Sequence, residues 1–357
     1  MNFASDNVFG VHERIMNALL AANAGTSPSY GVDPWTREAE ERLCELFECK
    51  VWSFLLTTGT AANALALSQL VPPYGAVFAH ADAHVAVDEC GAPELFTGGA
   101  KLIGIAEPAG KITPAAIARL IAGFIRAEHD PKPAAVSIAQ ATELGTLYTP
   151  AEIGRIAELC RSSGMKLHMD GARFANAVAA LGCAPADITW RAGVDALSFG
   201  CTKNGALALE AVVFFAEELA DGFLYRRMRG GQLLSKGRFL GAQMLAYLEG
   251  DLWLNNARHA NAMATLLGEG LARISGIRLV VDVAANEVFV IMPRTLFQAL
   301  SAEAHCNEWP GMGSGLDMPG PDEALVRLVC SFRTTEEDVA KLLKLASAVR
   351  PLSAGRQ

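Results

Sequence analysis

Three short segments of this 357-residue chain carry residue types that suit one chemistry. The first, Thr58-Gly59-Thr60-Ala61-Ala62-Asn63, is expected to leave a strand and open a helix. Free N–H groups and the dipole at a helix start favour a phosphate, and Gly59 lets the backbone approach it closely. Alone, such a Gly- and Thr-rich segment is more often only a turn. The second, His168-Met169-Asp170-Gly171-Ala172-Arg173, sets Asp170 at the end of an apolar strand. A carboxylate there needs a cationic or hydrogen-bonding partner, and the plainest one is Arg173. The third, Ser198-Phe199-Gly200-Cys201-Thr202-Lys203-Asn204-Gly205, puts Lys203 at the end of a buried strand among small residues. Burial and cationic neighbours lower a lysine pKa from ~10.4, which supplies the neutral amine that imine formation requires. The plainer alternative is a lysine that snorkels to water. Taken together, with Asp170 thirty-three positions before Lys203, the three segments describe a pyridoxal 5'-phosphate (PLP) site. Asp170 would keep the pyridine nitrogen protonated, so that the ring withdraws electrons.

The elements that must position these residues are marked along the chain. Short apolar runs alternate with amphipathic stretches from about residue 34 to 200. Asp33-Pro34, Thr113-Pro114 and Thr149-Pro150 each set a capping side chain before a proline at the first helical position, and Gly164 follows a helix as a C-terminal cap. Strands are expected at Ser53–Leu56, Ala76–Ala79, Leu102–Ile105, Ala135–Ala139, Lys166–Met169 and Ala196–Phe199, with a shorter one at Ala211–Phe215. This alternation implies a mostly parallel sheet with helices on both faces, whose ligands gather at the carboxyl ends of the strands. Helices follow near Gln232–Glu249 and Trp253–Ile274. A small α+β unit completes the chain, with strands near Arg278–Val283, Glu287–Met292 and Leu325–Ser331 and a loop at Asn307–Pro321. The expected division is an N-terminal segment contributing to the site (1–32), a large cofactor-binding domain (33–250) and a small C-terminal domain (251–357).

Composition narrows the function classes. About half the residues are apolar, as in a globular protein with a large core, and the formal charge of -8 argues against a nucleic-acid or polybasic membrane binder. No basic stretch followed by an apolar run marks a signal peptide, and no apolar run reaches membrane-spanning length. The eight cysteines are scattered without a CxxC pair, which reads as reduced thiols in a cytoplasmic protein rather than disulfides or a metal site.

Further stretches extend the pattern over nearly the whole chain. They are Phe3-Ala4-Ser5-Asp6-Asn7, Tyr30-Gly31-Val32-Asp33, Ala83-His84-Val85, Asp88-Glu89-Cys90-Gly91-Ala92-Pro93-Glu94, Gln140-Ala141-Thr142-Glu143, Thr202-Lys203-Asn204-Gly205 and Val326-Arg327-Leu328-Val329. With Thr58–Asn63 and His168–Arg173, they resemble the threonine aldolase family of fold-type-I PLP enzymes, and most closely its low-specificity pseudomonad type, which includes phenylserine aldolases. The resemblance implies an aspartate aminotransferase-like α/β fold and retro-aldol cleavage of β-hydroxy-α-amino acids to glycine and an aldehyde.

The resemblance also assigns roles. Lys203 becomes the Schiff-base lysine, Gly59 and Thr60 bind phosphate, His84 stacks on the ring and Asp170 holds its nitrogen. Arg173 and Arg327, with Ser5, orient the substrate carboxylate, and Tyr30 reaches a neighbouring site in a homotetramer built as a dimer of dimers. One of Arg229, Lys236 and Arg238 would approach a neighbour's phosphate. Many members carry a second histidine after the strand that ends here at Ala139; this chain has Glu143 there. The general base is therefore left among His84, Glu143 acting through water, and a phosphate-held water. A β-eliminating lyase shares the Asp-x-x-Arg spacing and is the nearest rival. Arg173 stands where serine hydroxymethyltransferases usually have His. A PLP carrier without catalysis is the rival from another class.

Overall fold

The computed structural model describes residues 1–309 and 318–348. Seven strands form the larger sheet: β1 (Trp52–Leu56), β2 (Gly75–His80), β3 (Lys101–Ile105), β4 (Lys132–Ala139), β5 (Lys166–Gly171), β6 (Ala196–Gly200) and β7 (Glu210–Phe214). Their order is β1-β7-β6-β5-β4-β2-β3, parallel throughout except for β7, which runs against both its neighbours. The central strands β2, β6 and β7 are buried at every position, as strands covered on both faces must be. Helices begin where capping side chains precede proline: Asp33, Thr113 and Thr149 accept backbone N–H groups of the helices Pro34–Leu46, Pro114–Ile121 and Pro150–Ser162.

A second, antiparallel sheet contains β8 (Arg278–Leu279), β9 (Glu287–Pro293), β10 (Asn307–Glu308) and β11 (Glu323–Val329), in the order β10-β11-β9-β8. Its core also takes in Phe3, whose backbone bonds to His305 and Val329 pin the N-terminal segment to this unit. The 21-residue helix Leu252–Ala272 joins the two cores. Trp253 and Ala257 pack with the large sheet, and Met263, Leu267 and Leu271 with the small one.

Three expectations change. The helix expected from Gln232 begins at Arg238, because the Gln232 carboxamide oxygen is engaged by the backbone N–H and Oγ1 of Thr57 (3.1 and 2.8 Å) and the intervening residues form a loop. The strand expected over Arg278–Val283 shortens to Arg278–Leu279, since the chain turns away and Val283 packs on Gly268. Of the loop expected at Asn307–Pro321, Asn307–Glu308 is strand, and residues 310–317 lie outside the described residues.

Candidate active site

Where β4, β5 and β6 end, the sheet register sets Asp170 between Ala139 and Ser198. Because β7 is antiparallel, its first residue, Glu210, joins the same edge, paired with Gly200 and Leu56. Above this edge lies a cleft of about 380 Å³, lined by Thr58, Gly59, Thr60, Asn63, His84, Glu143, Asp170, Ser198, Lys203 and Glu210, among others. A surface cleft of about 440 Å³ lies at the opposite ends of β5 and β6, around Lys166 and Asp195, which pair with each other at 3.3 Å. The titratable residues of unusual placement gather at the first cleft.

One wall is a hydrogen-bonded chain. Asn63, in the buried helix Gly59–Leu70, donates through Nδ2 to Asp170 (2.8 Å) and to Glu89 Oε1 (2.8 Å). The backbone N–H of Ala172 also reaches Asp170 (3.0 Å). His84 Nδ1 meets the same Glu89 oxygen at 2.8 Å. That contact raises the His84 pKa above the usual histidine value; burial opposes it, and the charges of Asp170 and Glu143 add to it. Burial pushes the Glu89 carboxyl up, with His84 and Asn63 pulling against it.

The opposite wall carries Lys203 on the short turn Thr202–Asn204. Asn204 fixes that turn by donating to the Tyr247 hydroxyl and the Trp253 carbonyl, both at 2.8 Å, while Asn256 donates to the Asn204 carbonyl (2.9 Å). Gly205 follows at φ 110°, a conformation that disfavours a side chain. Glu210 lies on the same wall; burial raises its pKa to about 7, against the pull of Thr202 and the Lys203 charge. Under the floor, His168 bridges Ser137 (2.9 Å) and Ser198 (3.0 Å) across three strands, and burial pushes it down to about 4, so it is neutral at pH 7.

The arginines sit differently from the simplest expectation. Arg173 does not pair with Asp170. It is buried, forks onto Asp6 (Nε to Oδ2, 2.8 Å; Nη2 to Oδ1, 3.2 Å) and places Nη1 3.3 Å from Glu287. Burial works against its charge, but Asp6 and Glu287 hold its pKa above the ordinary value. Arg327 stacks on Trp309 (4.4 Å to the ring centre) with Nη1 3.9 Å from Glu287. The structure thus brings Gly59, Thr60, His84, Glu143, Asp170 and Lys203 around one cleft and leaves Arg173, Arg327, Ser5 and Tyr30 off its lining. Ser5 Oγ accepts the Asn7 N–H, and Asn7 reaches the cleft in its place. Arg229, Lys236 and Arg238 also lie off this lining. Asn63, Glu89, Glu210, Asp6 and Glu287 were not singled out from the sequence. The only hint was that Asn63, Glu89 and Asp6 fall inside the quoted stretches.

The donor set fits PLP. A helix start with open space at the Gly59 Cβ position suits a phosphate, a buried carboxylate suits a ring nitrogen, and a lysine lines the same cleft. A parallel sheet with one antiparallel strand, a small C-terminal unit, and a Lys and an Asp lining one cleft at the strand ends define a fold-type-I PLP enzyme.

Relatives narrow the class. The family model described as beta-eliminating lyase matches residues 2–294. A low-specificity L-threonine aldolase of Pseudomonas sp. is 44% identical over 348 residues, covering 98% of this chain and 96% of that one. A solved threonine aldolase of Leishmania major superposes with a TM-score of 0.90 at 28% identity, over 97% of this chain and 98% of its own. Oryza sativa TDC with PLP and tryptamine shares the fold alone, with a TM-score of 0.70 at 15% identity over 97% and 83% of the two chains. The chain belongs to the beta-eliminating lyase family and, within it, to the low-specificity L-threonine aldolases, PLP-dependent carbon–carbon lyases.

Proposed function

We propose that this enzyme cleaves L-threonine, L-allo-threonine and related β-hydroxy-α-amino acids to glycine and an aldehyde. The observation that carries the reading is the single cleft that holds Lys203, Asp170 and the Thr58–Thr60 helix start together. When bound, PLP supplies the electron sink for the pair released as Cα–Cβ breaks. Lys203 would carry the cofactor, Gly59 and Thr60 would hold its phosphate, and Asp170 would keep a proton on its ring nitrogen. Asn63 steadies Asp170 in that role.

Arg173 and Arg327, with Ser5 assisting, orient the substrate carboxylate, a task for which a planar guanidinium is suited. Orientation of the carboxylate decides which Cα bond breaks. His84, on the same lining, would stack on the ring and take the β-hydroxyl proton. With Nδ1–H committed to Glu89, its Nε2 carries the free lone pair. Glu143, on the same lining, contacts the β-substituent. In this reading residues 1–32 contribute to the site, 33–250 bind the cofactor, 251–357 form the small domain, and the chain acts in the cytoplasm as a homotetramer to which Tyr30 contributes across an interface. Among the described residues no helix is long and apolar enough to cross a membrane.

Purified enzyme loaded with PLP and given L-threonine, L-allo-threonine and L-phenylserine tests the proposal. Glycine with the matching aldehyde is expected. Pyruvate with ammonia from L-serine, and no glycine from L-threonine, would replace it with β-elimination.

A further inference from the structure

Glu287 opens β9 with a side chain wholly shielded from water, and among the described residues neither of its carboxylate oxygens has a hydrogen-bond donor. Four charged groups among the described residues act on it. Arg173 arrives from the segment after β5 (Nη1 to Oε2, 3.3 Å) and Arg327 from β11 (Nη1 to Oε1, 3.9 Å). Asp6 comes from the N-terminal segment and Glu143 from the segment after β4, while Lys203 acts on the set through Asp6.

The two buried acids are not equivalent. Asp6 accepts two bonds from Arg173 and one from Asn286 (3.2 Å), which suits an anion. Burial works against its charge, yet Arg173 and Lys203 hold its pKa below the usual value. Glu287 has no such donors, and burial holds its pKa above the usual value. Arg327 Nε is likewise buried without a partner among the described residues.

With both acids ionised, two carboxylates face two guanidiniums and the cluster is neutral. A substrate carboxylate engaging the same arginines would add a negative charge where water is excluded, and an uncompensated buried charge is costly. We propose that Glu287 takes up one proton from solvent when a substrate carboxylate engages Arg173 and Arg327, so that the cluster stays neutral. The inference rests on the aldolase reading for those two arginines and deepens it. The proton turns the Glu287 carboxylate into a carboxylic acid, and no substrate bond changes. The neutral acid releases both guanidiniums from their longest ion pairs, while Asp6 continues to hold the plane of Arg173. Glu143 is a weaker candidate for the proton because it is half-buried on the cleft, where water can solvate its charge. Glu287 is therefore a positioning residue whose protonation sets carboxylate affinity.

The test uses 3-hydroxybutyrate, which is threonine without its amine. It cannot exchange with Lys203, so it reads carboxylate binding alone. Calorimetric titration of the PLP-loaded enzyme, in two buffers of different ionisation enthalpy, counts protons. At pH values above the Glu287 pKa of the free enzyme and below that of the probe complex, uptake approaching about one proton per probe is expected, with Kd rising by up to ~10-fold per pH unit. Glu287→Gln, neutral at every pH, should bind the probe at least as tightly with no uptake and a flat profile, and Glu287→Asp should restore both. Wild-type binding without proton uptake would overturn the proposal, and so would a Glu287→Gln enzyme that keeps it. The wild-type measurement needs no variant, so it decides even where a substitution impairs folding. Failure to bind the probe, in an enzyme that still turns over L-threonine, also counts against it. Failure of the aldolase reading shows separately, as no glycine from L-threonine.

Discussion

The proton on His84 is governed by Glu89, which is hydrogen-bonded to His84 and Asn63. The bond to Glu89 is the largest influence raising the His84 pKa. A base must be neutral to work, so kcat/KM for L-threonine should climb with pH through that raised value. Glu89→Gln removes the charge and lowers the His84 pKa, so the acidic limb should move to lower pH while cofactor absorbance is retained. An unmoved limb would take the proton transfer away from His84. Glu143 gives a second test. As a contact to the β-substituent, its change to Gln should alter the L-threonine to L-allo-threonine ratio at near-normal kcat. A uniform loss of ~10²–10⁴-fold, the usual worth of a general acid–base group, would make it the base. At this scale Lys203, Asp170 and Gly59 were legible because each breaks the pattern of its own segment, as a charge ending an apolar run or a glycine before a helix. Asn63, Glu89 and Asp6 were not. Asn63 and Asp6 have partners 107 and 167 positions away, and Glu89, besides His84 five positions before it, has one 26 away; no local feature announces such long-range pairings.

The strands that carry the site were readable as short apolar runs between capped helices, and their ends differ from expectation by a few residues. What periodicity could not register is how closely β5 and β6 approach where they end. A Cβ on Gly200 would lie 2.6 Å from the Ala172 carbonyl oxygen and 2.7 Å from the Gly171 oxygen; one on Gly171 would lie 2.6 Å from the Ser198 oxygen. These neighbours are backbone and cannot swing aside. Gly200→Ala should therefore push apart the two strand ends that hold Asp170 and lead to Lys203. Overpacking of this kind costs about 1–3 kcal/mol, so a lower melting temperature of the cofactor-free protein is expected together with weaker PLP retention. Wild-type values of both would mean that the strand ends absorb a methyl group without moving. The Gln232–Gly237 loop is the converse case. Its composition suits a helix, but the Gln232 side chain is drawn across the chain to Thr57, beside the Thr58–Thr60 turn, and a tertiary contact overrides local preference.

Tyr30 is 53% exposed, holds a left-handed backbone at φ 63° and does not line its own chain's cleft. A tyrosine that acts within its own subunit would be expected on that lining; one that serves a neighbour would be presented outward. Val32, Leu224, Tyr225 and Met228 also expose apolar surface, which suits burial between subunits. If Tyr30 works across an interface, Lys203 and Tyr30 of one site come from different chains. Lys203→Ala and Tyr30→Ala enzymes should then each be impaired, and co-expression of the two should restore activity. A mixed dimer concentrates both lesions in one site and leaves the other intact, so random pairing returns about a quarter of the wild-type sites. Activity near that level would establish sharing. If co-expression yields only the average of the two single variants, Tyr30 acts within its own chain. If Tyr30→Ala alone is fully active, the residue has no part in the site, and its exposure reflects packing between subunits or nothing more than a surface turn.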